Sequence, residues 1–275
     1  MNRILSSWES NFPQVISFVK SADNISSFVF LKAHPDYHAA KYCEDRDAAL
    51  RLVYHFLETS ENQNKLKLLS HDYLHSIIVP IHAIEAGGKN RIPEILAEYI
   101  GKCTDLEVNY NIIQTNKVFR SGADEWYRFA FRPTFSGEVK KNHNYILVDD
   151  IFSLGGSLNE LRLFIESKGG SVVQAITMAT GKSGNEIALN PKTLKSLIDK
   201  YGDNTLSSFL KGVNLYEGNY NALTEPEARA LRRAPSLDQA RNRIFAARQE
   251  RGTRMGEEST FGNKDKDSLV PEKER

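Results

Sequence analysis

Hydrophobic positions along the chain follow three successive patterns. Up to about residue 69, helical spacing alternates with polar breaks, and the clearest helix is predicted at residues 46–58. Its apolar stripe consists of Ala49, Leu50, Val53, Phe56 and Leu57. From there to Gly181, short apolar runs alternate with helical segments, and beyond Gly181 the spacing is helical again. The pattern therefore predicts a central α/β region between two helical extensions.

The central region is predicted to alternate strands with helices. Strands are predicted at residues 76–81, 106–113, 145–148 and 171–178, and helices at residues 93–100 and 157–168. Short apolar strands that are separated by helices need burial on both faces, which a parallel sheet covered by helices provides. We therefore expect an α/β fold with a parallel sheet flanked by helices.

After this region, helices are predicted at residues 191–201, 204–211, 225–233 and 237–249. Pro226 lies in the first turn of its helix, and Ser236 is well placed as an N-cap. From about Gly252 the sequence is charged and poor in apolar residues, which is typical of disorder. The expected organisation is a mostly helical extension or hood at 1–70, a core at 71–182, a helical extension at 183–251 and a disordered tail at 252–275.

Composition removes several classes of protein from consideration. Of the 275 residues, 40% are hydrophobic and 10% aromatic, which is enough to bury a core. Lys and Arg total 36 against 35 Asp and Glu, so no global attraction to nucleic acid or to a membrane is expected. The two cysteines, Cys43 and Cys103, are too few for a disulfide scaffold. Without a signal-like or membrane-spanning apolar run, we expect a soluble, cytoplasmic protein with no membrane contact.

The segment at residues 145–165 carries the clearest chemistry. It reads as an apolar strand, two adjacent acids (Asp149 and Asp150), a loop with Gly155 and Gly156, and an amphipathic helix that begins near Ser157. Glycines allow the backbone to approach a phosphate closely, and the helix N-terminus supplies aimed amides and a positive dipole end. Carboxylates at the carboxyl end of a parallel strand are well placed to accept hydrogen bonds from ribose hydroxyls. The segment therefore predicts a ribose 5-phosphate site.

This run resembles the phosphoribosyl pyrophosphate signature of type I phosphoribosyltransferases. It departs from the signature at Phe152, where a smaller aliphatic residue is usual, and at Leu154, where a second Thr or Ser is usual. The resemblance implies a type I phosphoribosyltransferase-like fold. It also implies that the phosphoribosyl group binds to Ile151, Phe152, Ser153, Leu154, Gly155, Gly156 and Ser157.

Two further segments are similar to parts of the same family. Residues 76–100 resemble the first strand, pyrophosphate loop and following helix of its competence-associated and amidophosphoribosyltransferase-like branch, so the pyrophosphate would bind at Gly87, Gly88, Lys89, Asn90 and Arg91. Residues 114–141 lie where the family keeps a mobile loop that closes over the site. The basic residues of that stretch considered for the loop are Lys117, Arg120, Arg128 and Arg132.

If the resemblance holds, pyrophosphate is displaced from the ribose anomeric carbon by a nitrogenous acceptor, through a transition state with oxocarbenium character. The residues expected to take part in catalysis are Asp149, Asp150 and Arg128. A Mg²⁺ ion would be held mainly by the ligand, with Asp149 or Asp150 as the protein contact. The sequence does not identify the acceptor base or the oligomeric state, with a homodimer among the alternatives.

Alternatives to this interpretation stay open. The acid and glycine pairs also fit an ordinary strand-end turn, and Lys89 and Arg91 also fit a solvated loop. The arginine-rich helices between residues 225 and 254 could contact nucleic acid or a protein, although a solvated helical face is favoured. A histidine metal site at His34 and His38, or at His71 and His75, is disfavoured. The competing function is a non-catalytic sensor of phosphoribosyl pyrophosphate or nucleotides, or a nucleic-acid-associated accessory protein.

Overall fold

The computed structural model of the chain describes residues 7–9, 11–22, 25–82, 84–85, 88–118, 123–182 and 184–261, with the side chains of 84–85 and 251–261 left undescribed. The strands are β1 (Ile16–Ser17), β2 (Ile77–Pro80), β3 (Ile84–Glu85), β4 (Gly88–Lys89), β5 (Glu107–Val108), β6 (Ile113–Gln114), β7 (Phe135–Ser136), β8 (Asn144–Phe152) and β9 (Ser171–Thr180). The helices are α1 (Ser27–Ala33), α2 (Tyr37–Tyr42), α3 (Arg46–Leu57), α4 (Ser60–Asp72), α5 (Ile92–Thr104), α6 (Glu125–Ala130), α7 (Gly156–Ser167), α8 (Pro191–Tyr201), α9 (Asp203–Gly212), α10 (Glu225–Arg233) and α11 (Leu237–Phe261). Short 3₁₀ helices lie at Tyr216–Gly218 and Tyr220–Ala222.

A five-stranded sheet in the order β1-β9-β8-β2-β5 forms the centre of the fold, and all of its strand pairs are parallel. Along β8, Ile146 and Val148 belong to one apolar cluster, whereas Tyr145 and Leu147 belong to another. This alternation follows the two-residue period of a strand and shows why the run has no polar face. The expected α/β class, with a parallel sheet flanked by helices, is confirmed.

The N-terminal residues contribute more than helices. Ile16 in β1 pairs with Ile176 in β9, which makes β1 an edge strand of the central sheet. On one face of the sheet, α3, α4 and α5 share an apolar cluster with Ile146 and Ile176. A two-residue strand is too short to leave a periodic signal, which is why the sequence predicts residues 1–70 to be mostly helical.

Three other boundaries differ from the sequence expectation. Strand β8 continues to Phe152, because its pairing with β9 extends to Thr180, so the two acids lie within the strand. The strand predicted at 106–113 is divided between β5, in the central sheet, and β6, which pairs with β7. Helix α11 continues to Phe261, past the residue Gly252 where disorder was expected to begin. Residues 262–275 of that predicted tail lie outside the described residues.

Helices α8 to α11 pack on a further apolar cluster, which also includes Leu154 and Leu163 from the central region. Helices α8 and α10 begin and end at the residues expected from the sequence. Within the part of the chain that the structure describes, no helix has the length and apolar character needed to span a membrane.

Candidate functional site

A cleft of about 310 Å³ opens at the carboxyl edge of the central sheet. Its floor includes the end of β8, and residues that follow β2 and β9 also line it. Open parallel sheets commonly bind ligands at this edge. Of the residues expected from the sequence, the cleft is lined by Asn90, Arg128, Asp149, Asp150, Ile151, Ser153, Leu154, Gly155, Gly156 and Ser157.

The glycine pair shapes the turn from β8 into α7. Gly155 is the N-cap residue and has a φ of 74°, a left-handed conformation that favours glycine. Helix α7 begins at Gly156, and its N-cap residue, Gly155, has no side chain that could cap this end. Because first-turn amides have no intrahelical partner, the helix presents donors and its positive dipole end toward the cleft. This arrangement can accept a phosphate.

Phe152, which was expected in the phosphate loop, is not brought to the cleft. Its side chain is 1% exposed and packs in an apolar cluster with Leu158 and Leu161. Successive side chains of a strand point to opposite faces, and Phe152 is the last residue of β8. The large ring in place of a smaller aliphatic residue therefore fills core space.

The C-terminal helices explain why an apolar residue, Leu154, stands at this position of the loop. Its side chain joins their apolar cluster, and its carbonyl accepts a hydrogen bond of 2.6 Å from Thr224 Oγ1. A hydroxyl at this position would lie among apolar neighbours. The apolar residue at this position thus coincides with the packing of α10 behind the loop.

Behind the loop lies a buried charge network centred on Arg132. Its guanidinium contacts Glu227 through Nη1 and donates to Glu160 Oε1 over 3.2 Å through Nε. Glu227 is fully buried and also accepts from the Tyr216 hydroxyl at 2.9 Å. The network connects the loop to the C-terminal helices.

The two adjacent acids have different environments. Asp150 is 6% exposed, and its Oδ2 accepts from the Lys41 ammonium and, over 3.0 Å, from Asn90 Nδ2. Burial alone would raise the pKa of Asp150, but the Lys41 charge and these hydrogen bonds outweigh it and hold the pKa below the ordinary value. Burial, together with the charge of Asp150, raises the pKa of Asp149 well above its usual range. The two pKa shifts have opposite directions, so the ionised form is favoured more strongly at Asp150 than at Asp149.

The expected pyrophosphate-binding residues are only partly brought to the cleft. Lys89 Nζ pairs with Glu94 at 2.6 Å, and Arg91 Nη1 donates to the same carboxylate at 3.1 Å. Gly88 packs against the Glu44 side chain, and none of these three residues lines the cleft. Gly87 lies outside the described residues. Acidic neighbours thus neutralise the two cations, and Asn90 reaches the site by binding Asp150.

From the segment expected to be a mobile loop, Arg128 and Arg132 line the cleft. Arg128 Nη1 donates to Ser153 Oγ over 3.2 Å, which places a guanidinium beside the glycine turn. Lys117 does not line the cleft, and Arg120 lies outside the described residues. The sequence thus predicted a basic side of the site, and the structure identifies which arginines form it.

The N-terminal wall of the cleft was not predicted from the sequence. This wall consists of Phe28, Lys32, Tyr37, Lys41 and Tyr42, from α1 and α2. A hood was expected from these residues, but their local spacing resembles that of any short amphipathic helix and does not specify which side chains meet the acids.

His82 follows β2 but does not line the cleft. Burial, with the nearby Lys89 charge, lowers its pKa from 6.5 to about 4. The unfolded chain then binds this proton more readily, so the stability of the fold should decrease as pH falls from about 6.5 toward 4, by up to about 2–3 kcal/mol. Urea unfolding at several pH values should show a shallower decrease for His82→Gln than for the wild type. The exposed His71→Gln is the control, and equal pH slopes for all three proteins would contradict this prediction.

A side chain at Gly156 should disturb the loop. A Cβ there would lie 2.3 Å from Arg132 Nη1, which Glu227 holds in place. We expect Gly156→Ala to destabilise the fold by about 1–3 kcal/mol in urea unfolding. Gly212→Ala is a matched control, because a Cβ at this helical position meets nothing within 4 Å and is expected to be neutral or slightly stabilising. Equal effects of the two substitutions would show that the loop is not tightly packed against Arg132.

The described arginines of the C-terminal helices are largely engaged within the protein. Arg229 pairs with Glu225 and Glu186, Arg233 with Glu125, and Arg241 with Asp238. Arg243 lies over the Trp126 ring, and Arg248 donates to the Val213 carbonyl. This favours a structural role for these residues over a surface for nucleic acid.

The chain has sequence relatives among known proteins. The chain is 40% identical over 230 residues to the protein TraN of Escherichia coli, which covers 84% of this chain and 50% of TraN. It is 36% identical over 160 residues to an uncharacterized protein of Haemophilus influenzae, which covers 58% of this chain and 34% of the relative. The chain thus spans half or less of the length of these relatives. No family model matches it.

Among solved structures, the chain is similar to a purine phosphoribosyltransferase from Pyrococcus horikoshii. The match has 14% sequence identity, covers 44% of this chain and 87% of that chain, and has a TM-score of 0.25. A TM-score this low does not show a shared fold.

Proposed function

We propose that the cleft binds phosphoribosyl pyrophosphate and that the protein transfers the phosphoribosyl group to a nitrogenous acceptor. The observation that carries the proposal is the convergence of the glycine turn at the start of α7, the Arg128 guanidinium and the Asp149–Asp150 pair in one cleft. A type I phosphoribosyltransferase-like fold is part of this proposal, because the sequence motif is what supports that fold. Neither relative's name states such an activity.

In the proposed complex, the 5-phosphate contacts the first-turn amides of α7, with Ser153 and Arg128 as further donors. The ribose hydroxyls donate to the acids at the end of β8. The acceptor nitrogen forms a bond to the anomeric carbon and loses a proton, while the bond from that carbon to pyrophosphate breaks and pyrophosphate leaves with the electron pair. Positive charge that develops on the ribose is stabilised by the neighbouring carboxylates.

A second candidate is binding without transfer. It is favoured by the pairing of Asp150 with Lys41 and by the ion pairs that keep Lys89 and Arg91 away from the cleft. A sensor needs the phosphate and ribose contacts but no group that assists the departure of pyrophosphate. The N-terminal wall and the C-terminal helices would then transmit the bound state.

Calorimetric titration with phosphoribosyl pyrophosphate, followed by a pyrophosphate-release assay with a panel of nitrogenous bases, tests both candidates. We expect Arg128→Gln to weaken binding by about tenfold or more, since a charge-assisted contact is lost. Arg241→Gln, which removes an exposed arginine of α11, should bind as the wild type does. Lack of binding by the wild type would overturn the proposed function.

Measurement of pyrophosphate release separates phosphoribosyl transfer from binding without transfer. Asp149→Asn preserves the shape of the side chain and resembles the protonated form that burial favours, so we expect it to fold. If Asp149 must ionise for its oxygen to serve in catalysis, this variant should retain binding and lose pyrophosphate release. Binding by the wild type without release for any base in the panel would favour the sensor.

A further inference from the structure

We infer that the cleft recognises its phosphorylated ligand without a divalent cation, because the Lys41 ammonium occupies the position at Asp150 that a metal ion would take. The inference rests on the proposed function, since it concerns how the same ligand is held. It replaces the sequence expectation of a Mg²⁺ ion that contacts Asp149 or Asp150.

The acids do not fit a metal ion as they are arranged. Oδ2 of Asp150 already accepts from two donors, Lys41 Nζ and Asn90 Nδ2. A divalent ion at this oxygen would lie against the ammonium, and the two cations would repel each other. Asp149 Oδ1 accepts from the amide of Asp150 at 2.8 Å, so the backbone already engages this oxygen.

The Lys41 side chain is almost fully buried beside Asp150. The side chains of Lys41 and Asp150 are 7% and 8% exposed, and the ammonium lies 5.9 Å from the centre of the Tyr37 ring. Withdrawal of the ammonium would leave a buried carboxylate without its charged partner, which is costly. The ion pair is therefore a fixed part of the cleft wall.

The remaining charges in the cleft also suit an anion without added metal. The basic side chains that line it are Lys32, Lys41, Arg128 and Arg132, and the acidic ones are Asp149 and Asp150. Arg132 is engaged by Glu160 and Glu227, which do not line the cleft. Lys32, Lys41 and Arg128 then outnumber Asp149 and Asp150 among the side chains that line the cleft, which gives the lining an excess of positive charge. A metal ion usually supplies that charge at a phosphate site.

The test compares ligand binding with and without metal in the unmodified protein. Ribose 5-phosphate and phosphoribosyl pyrophosphate are each titrated calorimetrically in excess EDTA and in excess Mg²⁺. We expect the dissociation constant of each ligand to change by less than about threefold between the two conditions. An affinity at least about tenfold higher in Mg²⁺ for both ligands would overturn the inference while leaving the proposed function intact. Absence of binding in both conditions would overturn both.

Two variants test whether the Lys41 ammonium is the reason that binding needs no metal ion. Lys41→Met removes the ammonium and exposes Asp150 to a metal ion, so metal-free affinity should decrease by about tenfold or more and Mg²⁺ should restore part of it. Lys32→Met removes another cleft lysine that is exposed, and the affinity that remains should stay independent of Mg²⁺. Equal metal dependence in the two variants would contradict the role of Lys41. If Lys41→Met does not fold, the comparison in the wild type decides alone.

Discussion

Glu227→Ala is expected to reduce the free energy of unfolding by about 3–5 kcal/mol, because it leaves the charge of Arg132 buried without its main partner. The carboxylate of Glu227 is fully buried and accepts from Arg132, from the Tyr216 hydroxyl and from the Thr224 amide. It also completes the capping box that begins α10. Urea unfolding of wild type and variant, followed by circular dichroism, measures the loss.

Two control variants accompany Glu227→Ala, one that removes only the charge of Glu227 and one that breaks an exposed ion pair. Glu227→Gln keeps an acceptor for the Tyr216 hydroxyl and loses the charge, so about 1–3 kcal/mol of the loss should remain. Asp199→Ala breaks the exposed pair with Lys195 and should change stability by less than about 0.5 kcal/mol. If Glu227→Ala were as mild as Asp199→Ala, the network behind the loop would not stabilise the fold.

Local sequence patterns predicted most of the central elements. Helix α3, helix α10 and strand β9 are each specified by residues within the element itself, through an apolar stripe, a proline in the first turn, or an apolar run after glycines. The parallel arrangement followed because buried strands in alternation with helices leave few other solutions. By contrast, β1 has two residues and is a strand only because the exposed edge of β9 is beside it.

The site was predictable where its chemistry is continuous along the chain. Asp149, Asp150, Gly155 and Gly156 lie within eight positions of one another, so their order alone indicated a phosphate turn. The partner of Asp150 is Lys41, 109 residues earlier, and no local pattern could identify it. Lys89 and Arg91 were expected to face the ligand because of their charge, but Glu94, on the next helix, pairs with both.

The pair of Lys41 and Asp150 should show strong energetic coupling. Lys41→Met leaves a buried carboxylate without its cation, and Asp150→Asn leaves a buried ammonium without its anion, so each should cost about 3–5 kcal/mol at pH 7. The double variant Lys41→Met/Asp150→Asn leaves neither charge. It should therefore cost about 1–3 kcal/mol less than the sum of the two single changes. Urea unfolding of the four proteins completes the cycle.

The pH dependence gives this cycle a second, independent signature. In the wild type the pKa of Asp150 is below its ordinary value, so the stability that this ion pair adds is present above the unfolded pKa and is lost as pH falls through the folded pKa. In Lys41→Met the burial of Asp150 is no longer opposed by the ammonium, and the pKa should rise instead. Protonation then relieves the buried charge, so the cost of Lys41→Met should shrink between pH 7 and the acid range. The destabilisation by Lys41→Met could instead stay constant with pH, and the effects of the two single variants could be additive. Together these results would mean that the ammonium and the carboxylate do not interact. The inference of a metal-free cleft would then lose its physical basis.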